Sequence, residues 1–381
     1  MLGITSATHG ISNFATSGED MTILRINLQK PLSYKEKIIF NVTYSIYIPK
    51  IKHRLGYNDY VYNLANFYPI MCVYEDGGFT EYSYCKLGDP FYSEVASYKV
   101  TLTLPKNYVA AHTGNVEQVT ETEDTKTLQL EADNVRDFAI CASPYFIMRT
   151  DTVGATAIKY YYVEESGAAE RLEHIKSVLT AFNGYFCNYP YSTLTVVKTP
   201  FAFGGMEYPQ LVYISDSLTK TETDMVITHE LAHQWWYGLV GNDQIKYAWQ
   251  DEALAEFSML YYYKNNNPKL YKSYFDDSYD KYTRYASITG LTGNTAAMDN
   301  ILYDYDDYRY SANVYIKGML MLASLYELEG EALIAALSAY AKAYTYKTAT
   351  PEDFVNTISV YFKCSQAAYF DAWLKGKVIL L

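Results

Sequence analysis

Five consecutive residues constrain the fold of this chain more than any other feature. His229-Glu230-Leu231-Ala232-His233 lies inside Thr221 to Tyr237, a segment whose spacing predicts a helix with a capping box at Thr221 and Asp224 and a stop at Gly238. Residues four apart on a helix are offset by about 40°, so the two imidazoles project side by side and one metal ion can bridge them. Glu230 lies about 100° further round, close enough to touch a water at that metal without being a ligand. The third ligand has to come from another element. The next helical run, expected over Asp243 to Tyr263, carries Trp249-Gln250-Asp251-Glu252-Ala253-Leu254-Ala255-Glu256, and a turn at Gly238 to Asn242 returns it against the first helix. Glu252 is the natural third donor, because a carboxylate among Trp249 and alanines is expected to be buried and then needs a partner. Two His and one Glu leave the fourth tetrahedral position of Zn2+ open to water, the arrangement of a catalytic site. An ordinary solvated helix face is the competing reading of Glu252 and Glu256. Glu256, one turn on, is placed to orient a ligand imidazole.

Around this motif the pattern changes once along the chain. Residues 21 to 150 show short alternating runs rich in Val, Ile, Thr and Tyr, among them Ile38 to Ile48, Tyr98 to Leu104 and Thr127 to Leu130, broken by turn residues at Pro49, Gly77-Gly78 and Gly114-Asn115. This predicts antiparallel β structure. Apolar residues at helical spacing then predict a helix over Ala168 to Phe186, followed by a strand over Tyr191 to Lys198. Beyond Thr221 the chain reads as nearly all helical, with a helix expected over Ala312 to Leu328 and another beginning near Pro351.

Composition excludes some partners. With 31 basic and 43 acidic residues the net charge is −12, which argues against nucleic acid or an anionic membrane as a partner. No run approaches the ~20 apolar residues of a membrane span. No signal-peptide pattern is visible at the start, so a cytoplasmic location is expected. The five cysteines include no C-x-x-C pair and are expected to be reduced, each a small buried hydrophobe. The 43 tyrosines are expected at half-buried positions whose hydroxyls reach water or a carbonyl.

Other motifs gain weight from the first. Gly204-Gly205, between two β-like runs, permits a close backbone approach at a sheet edge where a peptide can lie, and Glu207 adds a negative charge there. Taken alone, this stretch is a plain β-turn. Together the motifs resemble the M1 zinc aminopeptidases (gluzincins), whose signature is H-E-x-x-H, eighteen residues and a Glu; Gln234 to Asp251 is eighteen residues. Phe203-Gly204-Gly205-Met206-Glu207-Tyr208-Pro209 is similar to the family's G-x-M-E-N exopeptidase motif, with Gly for Ala and Tyr for Asn, and Tyr315-Ile316-Lys317-Gly318 is similar to its Y-x-K-G motif. Ala65-Asn66-Phe67-Tyr68-Pro69 and Arg136-Asp137-Phe138 look like further family landmarks.

The resemblance implies an α+β fold. An N-terminal antiparallel β saddle or sandwich, expected to be incomplete, covers 1–150, and a thermolysin-like, mainly helical catalytic domain with a small sheet covers 151–381. It implies one Zn2+ per chain on His229, His233 and Glu252, with Glu230 as general base and Tyr315 as donor to the oxyanion. Gly204, Gly205 and Met206 would bind substrate, and Glu207 would pair with the α-ammonium of peptide substrates bearing a free N-terminus, so that the N-terminal residue is released. A neutral phenol suits the oxyanion role because it stabilises charge present only in the transition state. No second amine-gripping residue is apparent near Asn58 to Tyr60; Lys317 is expected to be structural, and Tyr310 to line the site at most. The family's large helical C-terminal domain has no counterpart before Leu381, which implies an open site tolerant of long peptides. Two alternatives stand beside this reading: a zinc hydrolase of the same fold acting as endopeptidase or on a small molecule, and a non-enzymatic zinc-binding module. A scaffold would need neither Glu230 nor Tyr315.

Overall fold

A computed structural model describes residues 2–378 and 380. It has an N-terminal β-rich part followed by a mainly helical part, an α+β architecture. Alternation builds the first part. Ala96–Pro105 pairs antiparallel with Thr125–Val135, which pairs in turn with Asn115–Glu121. The inward residues Leu104, Leu128, Leu130 and Ala132 join Val135, Phe138 and Ile140 in one apolar cluster. Gly114 makes the turn into this sheet at φ +80, where a Cβ would stand 2.3 Å from the Glu131 carbonyl oxygen, so only glycine fits. A second sheet has the strand order Val109–His112, Ile140–Ser143, Val61–Leu64, Leu55–Asn58. The strand expected over Ile38 to Ile48 shrinks to Phe40–Thr43, paired with Gly3–Ser6. Ile4 is the only buried residue among 2–53, so alternation there has no core face to fix a longer register.

The second part is organised by a five-stranded sheet, ordered Ile147–Val153, Thr156–Tyr162, Thr193–Thr199, Leu211–Ser215, Gly205–Met206. Its three inner strands are parallel and both edges antiparallel. The helices are α1 (Ala168–Tyr185), α2 (Lys220–Ala232), α3 (Trp249–Asn266), α4 (Pro268–Thr289), the single turn α5 (Asp307–Arg309), α6 (Gly318–Glu329), α7 (Glu331–Tyr344), α8 (Pro351–Phe362) and α9 (Ala367–Leu374), with a π-helix over Tyr310–Lys317. The apolar stripe of α1, Leu172, Ile175, Val178, Leu179 and Phe182, is buried in the main core with Trp235, Trp236 and Trp249. Each such side chain contributes roughly 1.5–3 kcal/mol by leaving water.

Several boundaries differ from the sequence expectation, each for a local reason. The capping box of α2 is Thr219 with Glu222 rather than Thr221 with Asp224. Asp224 instead pairs with Arg171 of α1. The helix ends at Ala232, not Tyr237, because Gly238 N donates to the His233 carbonyl in an i→i+5 turn that tucks Trp235 and Trp236 into the core. α3 begins at Trp249 rather than Asp243, since the Asp243 side chain accepts from Ile245 N (3.1 Å) and Lys246 N (3.0 Å) and holds a turn. Asn267-Pro268 ends α3 and starts α4, with Asn267 as cap and Pro268 in the first turn.

Arg136 joins the two parts. Buried, it donates to the carbonyls of Tyr237 (2.9 Å), Ser93 (2.8 Å) and Lys347 (2.6 Å). A Cβ at Gly241 would lie 2.1 Å from its Cζ, so the glycine makes room for the guanidinium. The tyrosines match the expectation only in part: Tyr369 donates to Met321 O and Tyr191 to Asn134 O, but Tyr160, Tyr208, Tyr213 and Tyr282 are fully buried, and the hydroxyls of Tyr237 and Tyr282 have no partner among the described residues. The cysteines do so only in part. All five are free thiols, but Cys141 alone is buried and Cys364 is exposed on the turn after α8, which has no core to enter. Among the described residues no helix is long and apolar enough to cross a membrane.

Candidate active site

His229 sits in the last turn of α2 and His233 caps it, so the two imidazoles share one face. Their Nε2 atoms are 3.0 Å apart. Glu252, in the first turn of α3, places Oε2 3.2 Å from His229 Nε2 and 3.3 Å from His233 Nε2. All three residues are buried. Nδ1 of His233 is 2.9 Å from the Trp236 carbonyl, to which it can donate, and this contact turns Nε2 toward His229 and Glu252. Glu256 Oε1 lies 3.4 Å from His229 Nδ1 and accepts from Tyr274 on its other oxygen (2.9 Å).

The donor set fits a divalent cation. Two imidazole nitrogens and a carboxylate oxygen lie within 4.8 Å of one another, close enough for one ion to bridge all three. Burial opposes charge on His233, yet Glu207 and Glu252 pull it up to about 10, so the pocket favours positive charge. Burial likewise opposes charge on Glu252, and the two imidazoles, His233 foremost, hold it below the usual carboxylate range. Zinc, with two nitrogen ligands and one oxygen ligand, is the ion this set suits.

The other predicted residues surround the donors. Burial pushes the Glu230 carboxyl up to about 7. Its Oε2 is buried without a hydrogen-bond partner among the described residues, and its Oε1 stands against Gly205, where a Cβ would lie 2.5 Å away. Tyr315, partly exposed, donates to Glu252 Oε1 at 2.5 Å and stacks on His229 with ring centres 6.0 Å apart. Gly205 and Met206 form the edge strand, and the Gly204 carbonyl accepts from Ser215 N (2.9 Å). The Met206 side chain turns into the apolar cluster beneath, with Sδ 3.2 Å from Arg54 Nε, so only its backbone faces the edge. Glu207 is buried, and Gln244 Nε2 approaches its Oε1 at 3.5 Å. Burial raises its pKa well above the usual range, with Asp89 adding to the effect. Glu207, His233 and Asp251 offer donor atoms within 4.8 Å of one another, so the carboxyl of Glu207 lies beside His233.

Some residues of the site carry no sequence signal. Asp89 and Arg54 come from the β-rich part, more than a hundred residues before the metal motif. Arg54 pairs with Asp89 and lies over the rings of Phe91 (5.3 Å) and Phe203 (5.5 Å). Gln234 directly follows His233; its side chain accepts from Gln210 N (2.8 Å) and donates to Tyr208 O (3.2 Å), tying the end of α2 to the Glu207 segment. The expected landmarks meet at the same place, since Asp137 accepts from Tyr68 (2.6 Å) and Asn66 (3.1 Å), and Asn66 accepts from Tyr208 (3.1 Å). A cavity of about 440 Å3 lined by Phe257, Tyr261, Tyr271, Tyr326 and Trp373 lies between α3, α4 and α6 and contains none of these residues.

A helix bearing H-E-x-x-H and a second helix supplying the Glu are the arrangement of the gluzincin class. The profile of the Peptidase family M1 domain matches residues 170–373, more than half of the chain, which therefore belongs to peptidase family M1. Among characterised relatives, leukotriene A-4 hydrolase of Xenopus laevis is 26% identical over 180 residues, 45% of this chain and 29% of that protein. Aminopeptidase M1-B of Oryza sativa subsp. japonica is 26% identical over 278 residues, 68% of this chain and 32% of that protein. The chain thus spans less than a third of the length of these two relatives. In fold it is similar to the M1 zinc metallopeptidase from Deinococcus radiodurans, with a TM-score of 0.71 at 17% identity over 100% of this chain and 86% of that one.

Proposed function

We propose that this chain is a zinc-dependent aminopeptidase, with residues 151–381 as the catalytic part and 1–150 as the β-rich part that completes the site. The observation that carries this reading is the convergence of His229, His233 and Glu252 on one point with the Glu207 carboxyl alongside. His229, His233 and Glu252 would hold the zinc. When bound, the ion supplies a Lewis acid that acidifies a water and polarises the scissile carbonyl.

The remaining chemistry belongs to side chains of this chain. Glu230, with one carboxylate oxygen free of partners, takes the water's proton and returns it to the departing amine. Tyr315 holds its hydroxyl proton on Glu252 Oε1, from where a developing oxyanion can compete for it. The edge strand at Gly205 offers its backbone to an extended peptide. Glu207 receives the substrate's α-ammonium. This is favourable because a buried carboxylate without a full charge partner is costly and an incoming cation relieves it. Anchoring the free amine there fixes the cut one residue from the N-terminus.

A peptide and its N-acetylated twin decide between exopeptidase and endopeptidase. The expected result is stepwise release of N-terminal residues from the free peptide only, abolished by a chelator and restored by zinc. Equal cleavage of the two would contradict amine anchoring at Glu207.

A further inference from the structure

Tyr310–Lys317 is wound as a π-helix between α5 and α6. In an α-helix, residues five apart point about 140° away from each other. An i→i+5 turn cuts that offset to about 50° and puts them on one side. Tyr310 and Tyr315 are five apart, and their rings meet edge to face at 5.4 Å. The wider winding is what lets Tyr310 back the phenol that reaches Glu252.

Two polar side chains of the same segment take no part in the chemistry above. Asn313 and Lys317 are both 0% exposed. Asn313 Nδ2 donates to Thr295 O (2.9 Å) and Ala297 O (3.2 Å), and Lys317 Nζ donates to Ala296 O (2.7 Å). Three successive carbonyls are thereby fastened to the π-helix. That stretch is itself anchored, because Met298 N donates to Leu374 O (2.8 Å) and the Tyr305 hydroxyl to Ala297 O (3.2 Å). Packing alone does not call for a buried ammonium, since an apolar side chain of similar length would escape its desolvation.

We propose that Asn313 and Lys317 are positioning residues that act through Tyr315: by gripping the carbonyls of Thr295, Ala296 and Ala297 they hold the π winding that keeps the phenol against the metal ligands. The catalytic half of this inference rests on the reading of the site as a peptidase with Tyr315 as oxyanion donor; the structural half does not.

The test is Lys317→Met and Asn313→Ala in the zinc-loaded full chain, each made alone and together with Tyr315→Phe. Amide hydrogen exchange over 310–317 is expected to quicken by about tenfold or more while α2 and α3 keep their protection. On an aminoacyl substrate kcat is expected to fall about tenfold with KM within about twofold, and to change by less than about twofold when Tyr315 is already Phe. Unchanged exchange in 310–317, or a kcat loss as large without the phenol as with it, overturns the proposal. Should Lys317→Met fail to fold, Asn313→Ala, which leaves the ammonium in place, decides by the same two criteria. If the unmodified protein turns over no aminoacyl substrate, the peptidase reading has failed, and the exchange experiment still decides the clamp.

Discussion

Glu230 combines a burial that favours its neutral form with a position between the edge strand and the metal ligands. Replacing it by Gln keeps the shape and removes the base. Glu230→Gln is expected to retain zinc at one equivalent while kcat drops by about 10²–10⁴ or more, as measured by metal analysis and turnover on one preparation. Tyr315→Phe removes the hydroxyl bonded to Glu252 Oε1 and, with it, the proposed oxyanion donor, so kcat should fall by about 10²–10³ with KM little changed. Away from the site, His112 gives the fold a pH dependence. It is buried, its Nδ1 lies 3.0 Å from Thr113 O, and burial pushes its pKa down to about 4. The unfolded chain then binds one more proton than the native one between the ordinary value near 6.5 and about 4, so stability falls as pH drops through that window, by up to about 3 kcal/mol. Urea unfolding of His112→Gln should show about 2–3 kcal/mol less destabilisation than the unmodified chain between pH 7 and 4.5. An equal loss in both would remove His112 from the account.

At the scale of elements, the approach of α3 to the start of α6 depends on Gly318, where a Cβ would stand 2.5 Å from the Ala253 Cβ. Ala253 directly follows Glu252, the proposed ligand. Gly318→Ala should therefore cost about 1–3 kcal/mol of stability and weaken zinc binding, readable as a lower Tm and a shifted zinc titration. Gly318 could be singled out in the sequence through its Tyr315 and Lys317 neighbours, but its reason could not, because the contact it permits is tertiary. The same division holds elsewhere. The helical period around His229 to His233 and the spacing to Glu252 are local facts, and the three donors meet where that spacing implies. The boundaries of α2 and α3 were set by side chains competing for backbone groups, Asp243 among them, and that competition leaves no periodic trace. The π winding of Tyr310–Lys317 was equally hidden, since its sequence is also acceptable to an α-helix. Asp89 and Arg54 enter the site from two distant loops, and only the packing of the two parts brings them there.

For the whole molecule, Arg136 ties the β-rich part to the helical part through three carbonyls. Arg136→Met would leave the carbonyls of Tyr237, Ser93 and Lys347 without their donor, each at about 1–3 kcal/mol. The expected outcome is faster limited proteolysis between the two parts and a rise in KM, since Arg54 and Asp89 would lose their station beside Glu207. Native-like protease resistance would show that the clamp is dispensable. The central claim is that one ion is held by two imidazoles of α2 and a carboxylate of α3, and metal content per chain tests it most directly. After dialysis against zinc and then buffer, the unmodified chain should carry one zinc equivalent, and Glu252→Ala should carry almost none while keeping its circular dichroism. A full equivalent retained by Glu252→Ala, or none taken up by the unmodified chain, would contradict the account.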